Sequence, residues 1–390
     1  MNRIFWIALE SEQGIPEERE SQGFVAALRE RGWKIEFCLL TNSRKPPLAR
    51  DLTQRWGVDD AHLIRGPEFR KHLEFLASRT GGEAYFVCDG FLAAKDAGLK
   101  NHWIYLARQC ESKLWQSASR ELRQPWDRLR ARWEAFRVSR EERALLESAS
   151  LVVARTLVDF RALKRLAPHF RGGIAHEGIT IPRIIPPFPE GANAPLRMVF
   201  TGHLDWPPNQ EGVEWFLTRV WPALLKVRPQ VELRIAGPGS PDWLLKKLPL
   251  KGVSYWGESE DPNILFEETH LAIAPVFLGS GTRSATLEAA SLGRATLSTA
   301  LGIEGLGLER GLHYFHAEHE ADWLETLAHL DPLLCRSIGF SAREHVRAEY
   351  GWAKAIKEFE GLFSAKTSGV AAAPVPPSRS PVVNVSEQQL

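Results

Sequence analysis

Residues 271–299 read LAIAPVFLGSGTRSATLEAASLGRATLST. A short apolar run, Leu271–Pro275, enters Gly279-Ser280-Gly281; a stretch of very small residues, Thr282–Leu292, follows, and a second apolar run closes the segment at Ala295–Ser298. Short apolar runs bounded by turn residues read as strands covered on both faces, and the Ala- and Leu-rich stretch between them reads as a helix. Two strands joined through a helix belong to a parallel sheet. The turn carries chemistry as well: glycines let backbone N–H groups approach an anion without a Cβ in the way, and a helix start adds unpaired donors and the positive end of its dipole. Arg283, in the first turn of that helix, is disfavoured by the dipole unless a bound diphosphate reverses the sign. The plainer alternative is a tight turn with Arg283 in water.

Glu288 adds weight to the anion-site reading. Ala285, Leu287, Ala289, Ala290 and Leu292 surround it on nearly every side of the helix, so its carboxylate needs partners. A ribose diol would donate two hydrogen bonds to it, while a salt bridge to Arg283 or Arg294 is the competing explanation.

The same strand–helix alternation runs outward in both directions. Toward the C-terminal half it includes strands at Arg197–Thr201, Val231–Ala236 and Val253–Trp256, with a helix at Gln210–Val227. In the first half, strands are expected at Ile4–Leu9, Lys34–Leu40, Glu83–Cys88, His102–Leu106 and Leu151–Ala154, with a first helix at Pro16–Arg31. The Pro-rich stretch Ile179–Leu196 has no helical period and reads as a linker. The expected organisation is a Rossmann-like acceptor domain over 1–180, a linker over 181–196, a second Rossmann-like unit over 197–350, a helix over 351–363 packing back on the first domain, and a disordered tail over 364–390.

Composition narrows the function classes. A chain of 390 residues is too long for one ordinary core, and 49 basic against 48 acidic side chains leave a formal charge of +1, so no global field gathers nucleic acid. Four cysteines without CxxC or zinc spacing indicate neither a disulfide framework nor a structural metal, which fits a reducing cytoplasm. The apolar start is too short for a signal peptide, and no stretch approaches the ~20 apolar residues of a membrane span. One segment departs from this balance. Between Arg120 and Arg143 eight arginines surround Leu122, Trp126, Leu129, Trp133 and Phe136 at helical spacing. Two readings stand side by side: a basic amphipathic surface meeting anionic lipid or a lipid-linked acceptor, and a long helix laying this stripe over the first sheet with its arginines in solvent.

An ordered set of motifs over residues ~196–363 resembles the retaining glycosyltransferases of the GT-B fold, family 4, also called glycosyl transferases group 1. Met198–Asn209 is similar to that family's opening strand and glycine turn, Leu233–Gly237 to its second strand, and Gly252-Val253 with Gly257 to its third. Gly279–Arg283 with Leu287-Glu288-Ala289 resembles its donor loop and helix, and Ser298–Gly305 the run that follows. The resemblance implies an α/β architecture of two Rossmann-like doubly wound parallel-sheet domains facing a cleft. It implies a nucleotide-sugar donor, a saccharide or lipid-linked acceptor, and retention of anomeric configuration in surface polysaccharide or glycolipid assembly. No cofactor or metal is expected, since dipoles and side chains neutralise the leaving diphosphate. By that analogy Glu288 holds the ribose, Ser280, Gly281, Thr282 and Arg283 meet the diphosphate or sugar, Gly202 passes close to the diphosphate, and the base lies near Trp256 and Gly257.

The chain also departs from the family. Ser280 stands where many members carry a glutamate eight residues before Glu288, Ala285 replaces a frequent lysine, and His203 and Asn209 stand where an Arg and a Lys clamp the diphosphate. His203 is either a phosphate contact or an ordinary turn residue. These departures keep a second class open: a non-catalytic GT-B protein that binds nucleotide sugar or partners an active transferase. A third, a dinucleotide oxidoreductase, rests only on Gly237-Pro238-Gly239, which lacks the third glycine of that fingerprint. In the first half, acceptor candidates are Glu10, Glu12, Gln13 and Gly14 after the first strand, and Glu111 and Lys113 in a Cys110-Glu111-Ser112-Lys113 run after another. Localisation is expected to be cytoplasmic, or peripheral to the inner membrane face through 120–143.

Overall fold

The structure is a computed structural model. It describes residues 3–9, 19–40, 73, 75, 76, 78, 84–99, 102–121, 125–189, 195–239, 242–245, 250–259, 261–279 and 281–367. Glu10, Glu12, Gln13, Gly14, Leu122, Ser280 and the tail beyond 367 lie outside them.

The first sheet has six parallel strands in the order β2-β1-β3-β4-β5-β6: β1 Arg3–Leu9, β2 Lys34–Leu40, β3 Ala84–Asp89, β4 Trp103–Ala107, β5 Leu151–Ala154 and β6 Gly172–Ile174. Helices α1 Arg19–Glu30, α2 Phe91–Ala97, α3 Glu111–Glu121, α4 Pro125–Ser148 and α5 Leu157–Leu166 connect them. β4 and β5 are buried at every position, as strands covered on both faces must be. The sequence reading missed β6, because Gly172-Gly173 carries no apolar signal. A Cβ on Gly172 would stand 2.1 Å from the Val152 carbonyl, so glycine is what admits this strand beside β5.

The second sheet runs β12-β11-β10-β7-β8-β9, with β7 Arg197–Thr201, β8 Glu232–Ala236, β9 Val253–Tyr255, β10 Leu271–Ala274, β11 Ala295–Ser298 and β12 Phe315–His316. Its helices are α6 Pro207–Trp215, α7 Trp221–Val227, α8 Asp242–Leu245, α9 Pro262–Phe266, α10 Ser284–Ser291, α11 Glu320–Ala328 and α12 Pro332–Tyr350. The single helix expected over Gln210–Val227 is divided by a π-turn at Phe216–Val220. Pro222 has no N–H for the helical ladder, and the widened turn accommodates it. Trp221 and Trp323 are fully buried in the core between this sheet and its helices.

The last helix, α13 Trp352–Thr367, returns to the first sheet. Ala355, Ile356, Phe359 and Phe363 join Ile4, Trp6 and Phe24 in one cluster. A Cβ on Gly178 would meet the Trp352 ring at 2.0 Å, so glycine allows this helix to seat, and Glu358 accepts the His176 backbone N–H at 2.9 Å. His176-Glu177-Gly178 is therefore a docking turn.

The expectation that α4 lays its aromatic stripe on the first sheet is corrected. Ala131, Ala135, Val138, Glu142 and Leu146 face inward, while Trp126, Leu129, Trp133 and Phe136 are exposed. Ala and Val allow close helix approach, and the bulky stripe is left on the opposite side. No helix among the described residues is long and apolar enough to cross a membrane.

Candidate functional site

In a doubly wound sheet, neighbouring strands whose connections leave in opposite directions open a crevice at their carboxyl ends. In the second sheet β7 and β10 are that pair. β7 ends at Thr201-Gly202, and the chain after β10 leads through Gly279 and Gly281 into α10. Glu288 reaches this crevice from α10: it is half-buried, and its carboxylate accepts the Thr201 hydroxyl at 3.3 Å. Arg294 is not its counter-ion. That guanidinium is buried and donates to the carbonyls of Pro186, Pro187, Leu292 and Phe266, pinning the linker to the second sheet.

Arg283 occupies the N-cap position, and the helix begins at Ser284, slightly later than the sequence indicated. It does not point to water. Its Nε donates to the Leu301 carbonyl at 3.2 Å, and burial lowers the guanidinium pKa while Glu304 and Asp159 pull it back up. A cation held at a helix start against the dipole and against burial is poised for an anion. Beside it, the Thr282 hydroxyl is buried without a hydrogen-bond partner.

Three glycine turns line the same edge. Gly237 has φ +146°, and a Cβ there would fall 1.9 Å from the Gly202 carbonyl, so the turns after β7 and β8 lie directly against each other. Gly237 N–H donates to the Gly257 carbonyl at 3.0 Å, which brings the turn after β9 alongside. Asn209 donates its side-chain amide to the His203 carbonyl at 2.9 Å, so it braces the turn; His203 itself is exposed. Trp256 is also exposed, with Arg234 4.5 Å over its ring.

The first sheet presents a polar cluster to this edge, most of which sequence reasoning missed. The N-terminus of α3 is capped by carboxylates from two other helices. Glu142 of α4 accepts the backbone N–H groups of Glu111 (2.8 Å) and Ser112 (3.1 Å) and the Ser112 hydroxyl (2.7 Å). Asp159 of α5 accepts the Cys110 N–H at 3.0 Å and the Thr156 hydroxyl at 2.6 Å. Desolvation raises both carboxyl pKa values, and these hydrogen bonds oppose it. Glu111 is pushed up to about 8, first by burial and then by the neighbouring Glu142. At the end of β3, Asp89 accepts the Trp6 indole N–H and a two-pronged contact from Arg108, at 2.8 and 3.0 Å. The signal that would have found Asp89 is an Asp-Gly pair closing a strand at the sheet's carboxyl edge.

The two halves meet here. Lys113 pairs with Glu304 at 2.5 Å, a Cβ on Gly281 would touch the Gln109 side chain at 3.0 Å, and one on Gly305 would touch Thr156 at 3.0 Å. Of the sequence-predicted residues, Gly202, Gly257, Gly281, Thr282, Arg283 and Glu288 therefore converge on one edge, with Glu111 and Lys113 across from it. Among the described residues no group of three or more His, Cys, Asp or Glu is arranged to hold a metal ion.

Two parallel six-stranded doubly wound sheets facing each other across such an edge define the GT-B fold. Residues 195–330 match the family model described as Glycosyl transferases group 1. A curated relative, an uncharacterized 44.6 kDa protein in the cps region of Klebsiella pneumoniae, is 24% identical over 177 residues; the match covers 43% of this chain and 45% of that protein. Among solved structures, sucrose-phosphate synthase from Thermosynechococcus elongatus aligns with a TM-score of 0.70 at 15% identity, covering 95% of this chain and all of that one. Anabaena HepE in complex with UDP and glucose aligns at 0.65 and 12% identity, covering 94% of this chain and 100% of that one. The lipopolysaccharide outer core galactosyltransferase WaaB aligns at 0.58 and 13%, covering 93% and 99%.

Proposed function

We propose that this protein is a retaining, metal-independent family-4 glycosyltransferase. It moves a sugar from a nucleotide-sugar donor on the second sheet to a saccharide or lipid-linked acceptor held by the first, in surface polysaccharide or glycolipid assembly. The observation that carries the reading is Glu288, half-buried at the β7/β10 crevice beside Thr201. Such a carboxylate offers paired acceptors to a ribose diol, while Arg283, the loop amides and the start of α10 supply positive charge for a diphosphate. The contact between Lys113 and Glu304 places the first sheet's polar cluster opposite. Sugar transfer needs both partners in one water-poor cleft, and the close approach of the two halves at Lys113 and Glu304 supports that reading. HepE was solved with UDP and glucose, which puts UDP-linked sugars first in any donor screen.

The test is turnover. Thermal-shift screening of UDP-, GDP-, ADP- and CMP-sugars identifies the donor, and NMR of the released or transferred sugar reports its anomeric configuration. Transfer with retention supports the proposal, and inversion removes its stereochemical part. A second reading is favoured by Asn209, whose amide is engaged by its own turn where the family resemblance implies a cation. Donor binding with neither hydrolysis nor transfer would select that non-catalytic reading.

A further inference from the structure

Four large apolar side chains of α4 stand in solvent: Trp126 is 78% exposed, Leu129 57%, Trp133 59% and Phe136 61%. At helical spacing they fall within one narrow arc, about 15 Å long from first to last. Aromatic side chains of this size carry 150–250 Å² each, so the patch exposes roughly 500 Å², at the upper end of what monomers leave uncovered. Its rim is cationic: Arg128, Arg130, Arg132, Arg140 and Arg143 are all exposed. Three of the five carboxylates of the same helix turn elsewhere, and a fourth, Asp127, half-buried in the first turn, stands about 100° round the helix from Trp126. Glu142 caps α3, Glu134 pairs with Arg137, and Glu141 pairs with Arg137 and Lys95. Glu147, an exposed acid, lies three turns beyond Phe136.

We propose that this face of α4 seats on an anionic lipid surface, with its rings in the interfacial layer and its guanidiniums on the lipid phosphates. Aromatic rings prefer the interfacial depth, and arginines beside them add attraction to anionic headgroups. Charge also argues against the nearest alternative. In a two-fold contact between copies of this chain, each arginine row would face another. The inner face of α4 ties the patch to the cleft: Ala131, Ala135 and Val138 share one core cluster with Trp115 of α3 and with Leu278, which immediately precedes Gly279. A seated α4 therefore brings the mouth between the sheets to the lipid surface. That consequence rests on the transferase reading above and adds the bilayer as its partner; the docking surface itself does not depend on it.

Flotation with vesicles tests the inference, using the full chain with phosphatidylcholine alone or with about one-third phosphatidylglycerol, at low and high salt. The protein is expected to float with the anionic vesicles at low salt and to be weakened at high salt. W126S/W133S/F136S is expected to lose flotation while keeping its melting temperature, because these side chains touch solvent. R128Q/R130Q/R132Q is expected to weaken binding by about five-fold per arginine. Failure of the unaltered chain to float overturns the proposal, as does undiminished flotation of the aromatic variant. A wild-type dimer that the aromatic variant turns into monomer also overturns it, by assigning the stripe to a second copy. Nucleotide-sugar binding by both proteins, measured in parallel, separates the two ideas: flotation without donor binding leaves the docking surface standing while the cleft reading falls.

Discussion

Replacing Glu142 with alanine should destabilise the protein by about 3 kcal/mol. Its carboxylate accepts four hydrogen bonds at the N-terminus of α3, from two backbone N–H groups, the Ser112 hydroxyl and, at 3.6 Å, the Cys110 thiol. Each such bond contributes about 1–1.5 kcal/mol net, and truncation leaves buried donors unsatisfied. Relief of the carboxylate's own burial, visible in its raised pKa, offsets part of that loss. For a protein of this size ~3 kcal/mol corresponds to a fall of several degrees in melting temperature, readable by calorimetry or urea titration. Glu142→Gln, which keeps one acceptor oxygen, should lose less. The loss should reach function as well, since α3 carries Glu111 and Lys113 to the cleft. A Glu142→Ala protein within ~0.5 kcal/mol of wild type would refute the capping argument.

Other outcomes follow from the same geometry. Glu111 has a folded pKa of about 8, above its unfolded value, so its contribution to stability is fully present below the unfolded pKa and is lost as pH rises through about 8. Glu111→Gln should therefore gain more than ~1 kcal/mol over wild type at pH 9 relative to pH 4, and equal pH profiles would contradict the assignment. Lys113→Ala with Glu304→Ala in a double-mutant cycle should show a stability coupling of no more than ~1 kcal/mol, because the pair is partly exposed. Its signature should instead be a raised acceptor KM. Arg283→Ala should lower donor turnover at least tenfold, consistent with the loss of a charge-assisted contact of about 1.5–3 kcal/mol; unchanged turnover would place Arg283 outside the reaction.

How far the sequence could be read depends on which physical signal each element leaves. Strands buried on both faces were legible almost to the residue, as at Arg197–Thr201 and Ala295–Ser298, because continuous apolar runs between turn residues have few other uses. β6 was not, because its glycines answer to close approach, Gly172 to the Val152 carbonyl and Gly173 to the Leu362 side chain, and carry no hydrophobic pattern. The helical period of α4 was legible but its direction was not. The helix has two apolar faces, and the inward one is built from alanines, Val138 and a buried glutamate, which a hydrophobicity pattern undervalues. At the β7/β10 crevice, Arg283 was legible from the glycine turn and the helix start after it, Glu288 from the apolar residues around it in its helix, and Gly202 only from the family resemblance. Opposite them, Glu142 and Asp159 reach α3 from sites 31 and 49 residues away, contacts that only tertiary structure brings together. Arg294 shows the converse: a conspicuous cation near Glu288 in sequence, it binds carbonyls of the linker instead.

Titration calorimetry of the cognate nucleotide sugar against wild type and Glu288→Ala tests the assignment of the β7/β10 crevice. Two charge-assisted hydrogen bonds from a ribose diol are together worth about 3 kcal/mol or more, so affinity should fall at least ~100-fold in the variant, with its melting temperature without ligand little changed. Equal affinity in the two proteins, or no nucleotide sugar bound by wild type at all, would contradict it.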